Sequence, residues 1–400
     1  MTDSAAYPTV RLKPKADARA LRHGFPWAYD DHVVLDRRTR NLAPGAIVRV
    51  EDGQRLPIAT CAFNPGSKLA LRRLDSDIDA IIDATWLQSK VAAAVALRSR
   101  LFDQPFYRLV HAEGDGLPGL VIDRFGAALV IQPNAAWIDA LLDELISVLE
   151  GALAPEVIVI NGTGRGRKSE GLPEITRVVK GTLDGPLPVT MNGATYMADL
   201  IGGQKTGLFF DQRDNHAFAA RLVDDHSRVL DVFSHVGGFG LAALASGAGE
   251  VSCVDASQAA LDLALQGAAA RGFDARLSTM RGDAFEQMAG LAQQGRQFDL
   301  VVCDPPAFAP NKQALAKGLR AYERVAKLAA PLVAPGGFLG LCSCSHAADV
   351  TKFGNSSMRG IGRAGRTGQL IYTGFAGPDH PMVPQLGENG YLKALFYRLD

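Results

Sequence analysis

The sequence lacks most of what would place it outside the ordinary globular proteins. No apolar run approaches the ~18 residues that a membrane span needs, and MTDSAAYPTV at the start has neither the basic nor the apolar region of a secretory signal. No membrane partner and a cytoplasmic location are therefore expected. Cysteine is scarce: Cys61, Cys253, Cys303, Cys342 and Cys344 are odd in number, scattered, and without the CxxC spacing that holds zinc. A disulfide framework and a metal site are both unexpected. Net charge is absent too, with 42 basic against 42 acidic residues, so the chain is no uniformly basic polyanion binder.

What is present is unevenly placed. Residues 1–74 carry 13 Lys and Arg against 7 Asp and Glu, and Val350 to Pro378 holds Lys352, Arg359, Arg363 and Arg366 with no acidic residue. A polyanion would favour both segments, although basic faces are often merely solvated. Residues 1–75 alternate short β-like runs (TVRL, AIVRV, PIATCAF) with Gly, Pro and Asn punctuation, the pattern of a small β-barrel. Residues 76–188 read as a small α/β domain: a helix through Ile81, Leu87, Val91, Ala94, Leu97 and Leu101, a hairpin about Phe125-Gly126, a helix from about Trp137 to Leu153, and then strand EVIVI. The stretch from there to Leu187 looks loop-rich and basic. Residues 189–400 alternate buried strands with helices, which predicts a mostly parallel, doubly wound sheet with its ligand beyond the carboxyl ends of the strands.

Three motifs stand at such ends. In DVFSHVGGFG (231–240) a strand runs into a Gly-rich turn and a helix, so Gly237 and Gly238 permit close backbone approach to a ligand. Asp255 ends the next strand, placed to accept ribose hydroxyls, and Asp283 follows the third, placed for an adenine amino group. Either aspartate can equally serve as a cap or turn residue. Together they point to an adenosine-containing cofactor, and without a G-x-G-x-x-G fingerprint S-adenosylmethionine is preferred to NAD. VVCDPPAF (301–308) forces the chain out of the sheet after Asp304, which with Phe308 can bond and stack a flipped base; Pro-Pro is otherwise a plain strand terminator. GLCSCSH (340–346) ends the next strand with Cys342 and Cys344 at the same strand parity, so periodicity does not separate a nucleophile from core packing.

The set GGQKTGLFFDQRDN (202–215), DVFSHVGGFG, VVCDPPAF and SCS (343–345) closely resembles the bacterial class I S-adenosylmethionine-dependent 23S rRNA cytosine-C5 methyltransferases of the large-subunit methyltransferase I type. VRL (10–12) and RHGFPWAY (22–29) resemble that family's RNA-binding PUA domain. EGDGLPGLVIDRFG (113–126) and RKSEG (167–171) resemble its central α/β domain, so the similarity runs almost the full length. The resemblance implies a Rossmann-like class I methyltransferase sheet, S-adenosylmethionine as cofactor, 23S rRNA as partner and a possible homodimer. It implies Cys344 as nucleophile with Asp304 beside it, and Cys342 as a strand residue. The cofactor falls to Phe233, Ser234, Gly237, Asp255, Ala256, Asp283, Ala284, Asp304 and Gln212, and the substrate to Arg213, Lys205, Phe308 and His380. Asp379-His380-Pro381 is expected near the active site or as a structural turn. The chain departs from the family at His235 and Val236, where a Tyr-Thr pair is usual, at Ala307 in place of lysine, at Ala326 and at His346. These departures bear on the target nucleotide more than on the cofactor. Methylation of an exocyclic base amine, which needs no thiol, is the other chemistry that suits D-P-P-F, and an RNA-binding assembly factor without turnover is the reading outside enzymes.

Overall fold

The computed structural model describes residues 7–203, 207–387 and 390–400. Contacts divide the chain into two compact units, one running to Asp184 and including Pro378–Gly387, the other comprising Gly185–Gly377 and Glu388–Asp400.

The first unit holds two five-stranded sheets. In one, Ala46–Glu51, Pro57–Phe63 and Leu71–Asp75 pair antiparallel, Trp27–Ala28 joins one edge, and Thr9–Arg11 joins the other in parallel. Alternating β-branched and small residues put Val10, Val48, Val50, Cys61 and Phe63 into its core. The result is a half-barrel with two short helices, Ala18–Arg22 and Arg37–Arg40. Trp27 is half-buried and donates its indole N–H to Glu113 Oε1 at 2.9 Å. In the other sheet Phe106–His111, Leu120–Phe125, Ala128–Pro133 and Val157–Gly162 are joined by Ile175–Lys180. That last strand, and the short helix Arg165–Ser169, occupy the stretch expected to be loop. The strand was hidden because ITRVVK exposes much of its length and lacks the apolar alternation of a half-buried strand. The expected helix from Trp137 to Leu153 is interrupted at Leu141, giving Ala136–Ala140 and Leu142–Leu153.

Buried ion pairs organise this unit. Arg167 of RKSEG is 3% exposed and meets both Asp139 oxygens at 2.6 and 2.8 Å. Arg98 is fully buried, clasps Asp115 of EGDG with two hydrogen bonds, and donates to the Asp379 carbonyl at 2.8 Å. Removing one partner of such a pair leaves the other charge buried and uncompensated. Arg98→Met is expected to destabilise the protein by about 3–5 kcal/mol, measured as a lowered denaturation midpoint in urea; an unchanged midpoint refutes it.

In the second unit the hairpin Leu187–Met191/Ala194–Ala198 leads to a seven-stranded sheet. Its strands are β1 (Arg228–Val232), β2 (Glu250–Asp255), β3 (Leu277–Arg281), β4 (Phe298–Cys303), β5 (Val333–Ser343), β6 (Gly368–Gly374) and β7 (Lys393–Leu399), in the order β3-β2-β1-β4-β5-β7-β6. All pairs are parallel except those made by β7. Among the described residues six α-helices accompany it: α1 (Arg213–Ala220), α2 (Gly238–Ala245), α3 (Gln258–Ala269), α4 (Ala284–Gln293), α5 (Leu315–Ala329) and α6 (Val350–Arg363). The strand order reverses between β1 and β4, so a crevice is expected beyond those two carboxyl ends. Strand β6 was not anticipated, because GQLIYTG is an edge strand with Leu370 and Ile371 exposed.

Candidate active site

The loop from β1 to α2 is built around backbone that side chains normally avoid. Phe233 and His235 both have positive φ, 61° and 50°, and Gly237 has φ +80° as the N-cap of α2. Two non-glycine residues at positive φ within three positions mark a loop whose shape is imposed by its surroundings. Ser234 N–H donates to the Val254 carbonyl at 3.0 Å, and Gly237 N–H returns to Ser234 at 2.8 Å. A methyl group on Gly238 would come within 2.7 Å of His216 Nε2. Beneath the loop, Asp231 is buried inside β1 and accepts from Gly240 N–H at 2.8 Å. Burial pushes its carboxyl up to about 7, against the pull of the Gly240 hydrogen bond.

Asp255 ends β2 with both oxygens engaged, one by His235 N–H and one by Ser257 N–H, each at 2.9 Å. It is thereby locked to the β1 loop, and Ala256 beside it is exposed. Asp283 performs the helix-capping role its position allowed: a single oxygen, Oδ1, accepts from Phe285 and Glu286 N–H, leaving Oδ2 for an outside donor. Ala284 is buried behind it. Phe285 stands 6.2 Å from Phe233 and 6.4 Å from Phe308 between ring centres, which lays an aromatic row along the strand ends. A loop shaped for close backbone approach, followed by successive strand-end carboxylates and apolar rings, fits S-adenosylmethionine.

Asp304, just past β4, is fixed by its N–H to the Val232 carbonyl at 3.1 Å and accepts Gln212 Nε2 at 2.9 Å. Gln212 is 3% exposed and is oriented in turn by Asn215 Nδ2, 2.7 Å from its Oε1. Cys342 lies in this same environment, 1% exposed. Burial pushes its thiol well above the ordinary range and Asp304 adds to the shift, opposed by a hydrogen bond with Gln212.

The two cysteines are not equivalent. The β5 ladder ends at Ser343, opposite Lys393, so Cys344 has left the strand and the parity argument does not reach it. Cys344 is half-buried, whereas Cys61, Cys253, Cys303 and Cys342 are all buried. Its neighbours hold the turn. Ser345 Oγ accepts from Ala309 N–H at 2.9 Å and meets the Tyr322 hydroxyl at 2.7 Å, and the Ser345 carbonyl accepts Lys393 Nζ at 2.7 Å. Tyr322, Ser345 and Lys393 escaped sequence reasoning, although a lysine inside the apolar strand YLKALFYRL was a signal.

The remaining expected residues are dispersed. Arg213 opens α1 with its guanidinium 5.7 Å from the Phe210 ring centre. Phe308 is half-buried, 5.0 Å from the Tyr322 ring centre. Lys205 lies outside the described residues. His380 belongs to the first unit, 5% exposed, with Nδ1 2.8 Å from Asp379 Oδ1 and its ring 4.7 Å from His111. Asp379 also accepts the Arg108 N–H at 3.0 Å, the structural role that its position left open.

Comparison with known proteins agrees with this architecture. Residues 180–360 match the S-adenosylmethionine-dependent methyltransferase family and residues 10–76 a PUA-like domain. Among solved structures, a Streptococcus mutans protein described as a SAM-dependent methyltransferase superposes with a TM-score of 0.80 at 17% identity, covering 98% of this chain and all of that one. A methyltransferase solved with S-adenosylhomocysteine gives 0.81 at 18% identity, covering 98% and 99%. The ribosomal RNA large subunit methyltransferase I of Klebsiella pneumoniae is 34% identical over 405 residues, covering both chains fully. That of Alteromonas mediterranea is 34% identical over 392 residues, covering 96% of this chain and 97% of its own. With relatives this similar end to end, the chain is an S-adenosylmethionine-dependent methyltransferase and belongs to the ribosomal RNA large subunit methyltransferase I family.

Proposed function

We propose that the protein methylates C5 of a cytosine in large-subunit ribosomal RNA through a transient bond to Cys344. The observation that carries this reading is the contrast among the thiols: four are buried, and Cys344 alone is half-buried, at a strand end next to the one that presents Asp304. Cytosine C5 is not nucleophilic. When the Cys344 sulfur bonds to C6, the C5–C6 π electrons become a C4–C5 double bond and the C4–N3 pair takes up a proton at N3, so that C5 becomes the electron-rich carbon of an enamine. Asp304 at the N3/N4 edge favours that proton, which is given back when the ring is restored. S-adenosylmethionine supplies the electrophilic methyl group that C5 then takes. Loss of the C5 proton and breakage of the sulfur–C6 bond restore the ring and return the thiolate. Such chemistry requires the base to leave its stack, and residues 1–75, with residues 76–188 between them and the catalytic domain 189–400, suit recognition of RNA shape and phosphates.

An RNA target carrying 5-fluorocytidine tests the covalent step, because fluorine cannot leave as the C5 proton does. The expected result is an enzyme–RNA adduct that survives denaturing electrophoresis and maps to Cys344. Absence of any adduct with the wild-type enzyme sinks the reading.

A further inference from the structure

We propose that Lys393 is the positioning residue of the nucleophile, its buried ammonium keeping the Cys344 sulfur negatively charged while fixing the Ser343-Cys344-Ser345 turn. This rests on Cys344 being the nucleophile. Lys393 is the first residue of β7 and the register partner of Ser343, the last residue of β5. Its side chain is 2% exposed, an uncommon site for an ammonium. Nζ donates to the carbonyls of Ser345 and Tyr391, both at 2.7 Å, so the lysine reaches past Ser343 and ties down the residue beyond the cysteine. Among the described residues it makes no ion pair within 4.0 Å. Two carbonyl dipoles alone are poor compensation for a buried charge, and a thiolate beside it supplies what they do not.

The electrostatics agree. Burial pulls Lys393 down to about 8, while Cys344 and Asp349 push it back up, so at pH 7 it carries its charge. Of the two anionic influences Cys344 is the larger, and Asp349, ahead of α6, is itself held by Lys352 Nζ at 2.5 Å. From α5, the Tyr322 hydroxyl meets Ser345 Oγ at 2.7 Å, and burial raises it, so it stays neutral at pH 7. On the strand side, Tyr391 donates to Asp211 at 2.7 Å and its ring lies 5.5 Å from that of His346. Asp304 acts on Cys342 deeper in the sheet. Among the described residues, Lys393 is thus a cation of this group that is built into the sheet itself.

Alkylation of Cys344 by iodoacetamide, followed against pH by peptide mass spectrometry, tests the proposal without requiring methyl transfer. In the wild type the reaction is expected to titrate below the free-thiol value of about 8.5. In Lys393→Met the midpoint is expected to rise by about one unit, a roughly tenfold slower reaction at pH 7, with Lys393→Arg restoring most of it. A wild-type midpoint at or above the free value overturns the proposal even if Lys393→Met does not fold. So does an identical profile in wild type and a folded Lys393→Met. If the fluorocytidine adduct forms while the profile is unshifted, the role of Lys393 falls alone; if the profile shifts and no adduct forms, the covalent reading falls and takes the catalytic meaning of the lysine with it.

Discussion

Cys344→Ala is expected to lower methyl transfer to large-subunit ribosomal RNA by more than about 10³-fold, above about 4 kcal/mol of barrier, while S-adenosylmethionine binding by calorimetry is unchanged. Without the sulfur, C5 has no route to an electron-rich form, so the loss falls on kcat and not on affinity. The variant is expected to fold with a modest loss of stability: Ser345, Tyr322 and Lys393 still fix the turn through bonds that do not involve the thiol, while the buried Lys393 loses the sulfur's compensating charge. Cys342→Ala is the control: that side chain is packed within β5 and its thiol is held protonated. Survival of full activity in Cys344→Ala would instead favour methylation of an exocyclic amine, whose lone pair needs no covalent help.

Asp304→Asn is the second large effect, a fall in kcat of about 10²–10⁴-fold with RNA affinity nearly unchanged. The substitution is nearly isosteric and an asparagine carbonyl still accepts from Gln212 Nε2, so the Val232–Asp304–Gln212 chain of contacts survives. What disappears is the negative charge that favours positive charge on the ring as the sulfur adds to C6. Single-turnover rates on an RNA fragment separate this from slow release. An equal loss of RNA binding and rate would show that Asp304 contributes uniform binding only.

The catalytic sheet was legible in the sequence for a physical reason. Strands β1, β2, β4, β5 and β7 are buried on both faces and write themselves as continuous apolar runs such as RVLDV and FDLVVC. What escaped were elements whose stability comes from partners and not from their own pattern. Strand β6 needs β7 alongside it, and Ile175–Lys180 needs Val157–Gly162. The cofactor loop was legible through its glycines, but the positive φ of Phe233 and His235 was not, since no local preference demands it. Asp283 shows the limit of a position-based reading: the same residue caps α4 and turns an oxygen outward. Strand pattern alone did not separate Cys342 from Cys344, which the family resemblance did; the geometric reason appeared with the end of the β5 ladder, because a strand's parity lasts no longer than its pairing.

The ten residues Pro378–Gly387 leave the catalytic sheet between β6 and β7 and complete the first unit, where Asp379 accepts from Arg98 and Arg108. The polypeptide therefore passes between the units three times, not once. Residues up to Asp184 are not a separable cassette: a fragment ending there would keep Arg98 and lose one of its buried acceptors. The catalytic unit depends on the same excursion, for β7, which brings Lys393 to the end of β5, is the last strand in the chain and is reached only after the detour. The interleaving makes a correctly placed Lys393 contingent on a chain that has already visited the first unit.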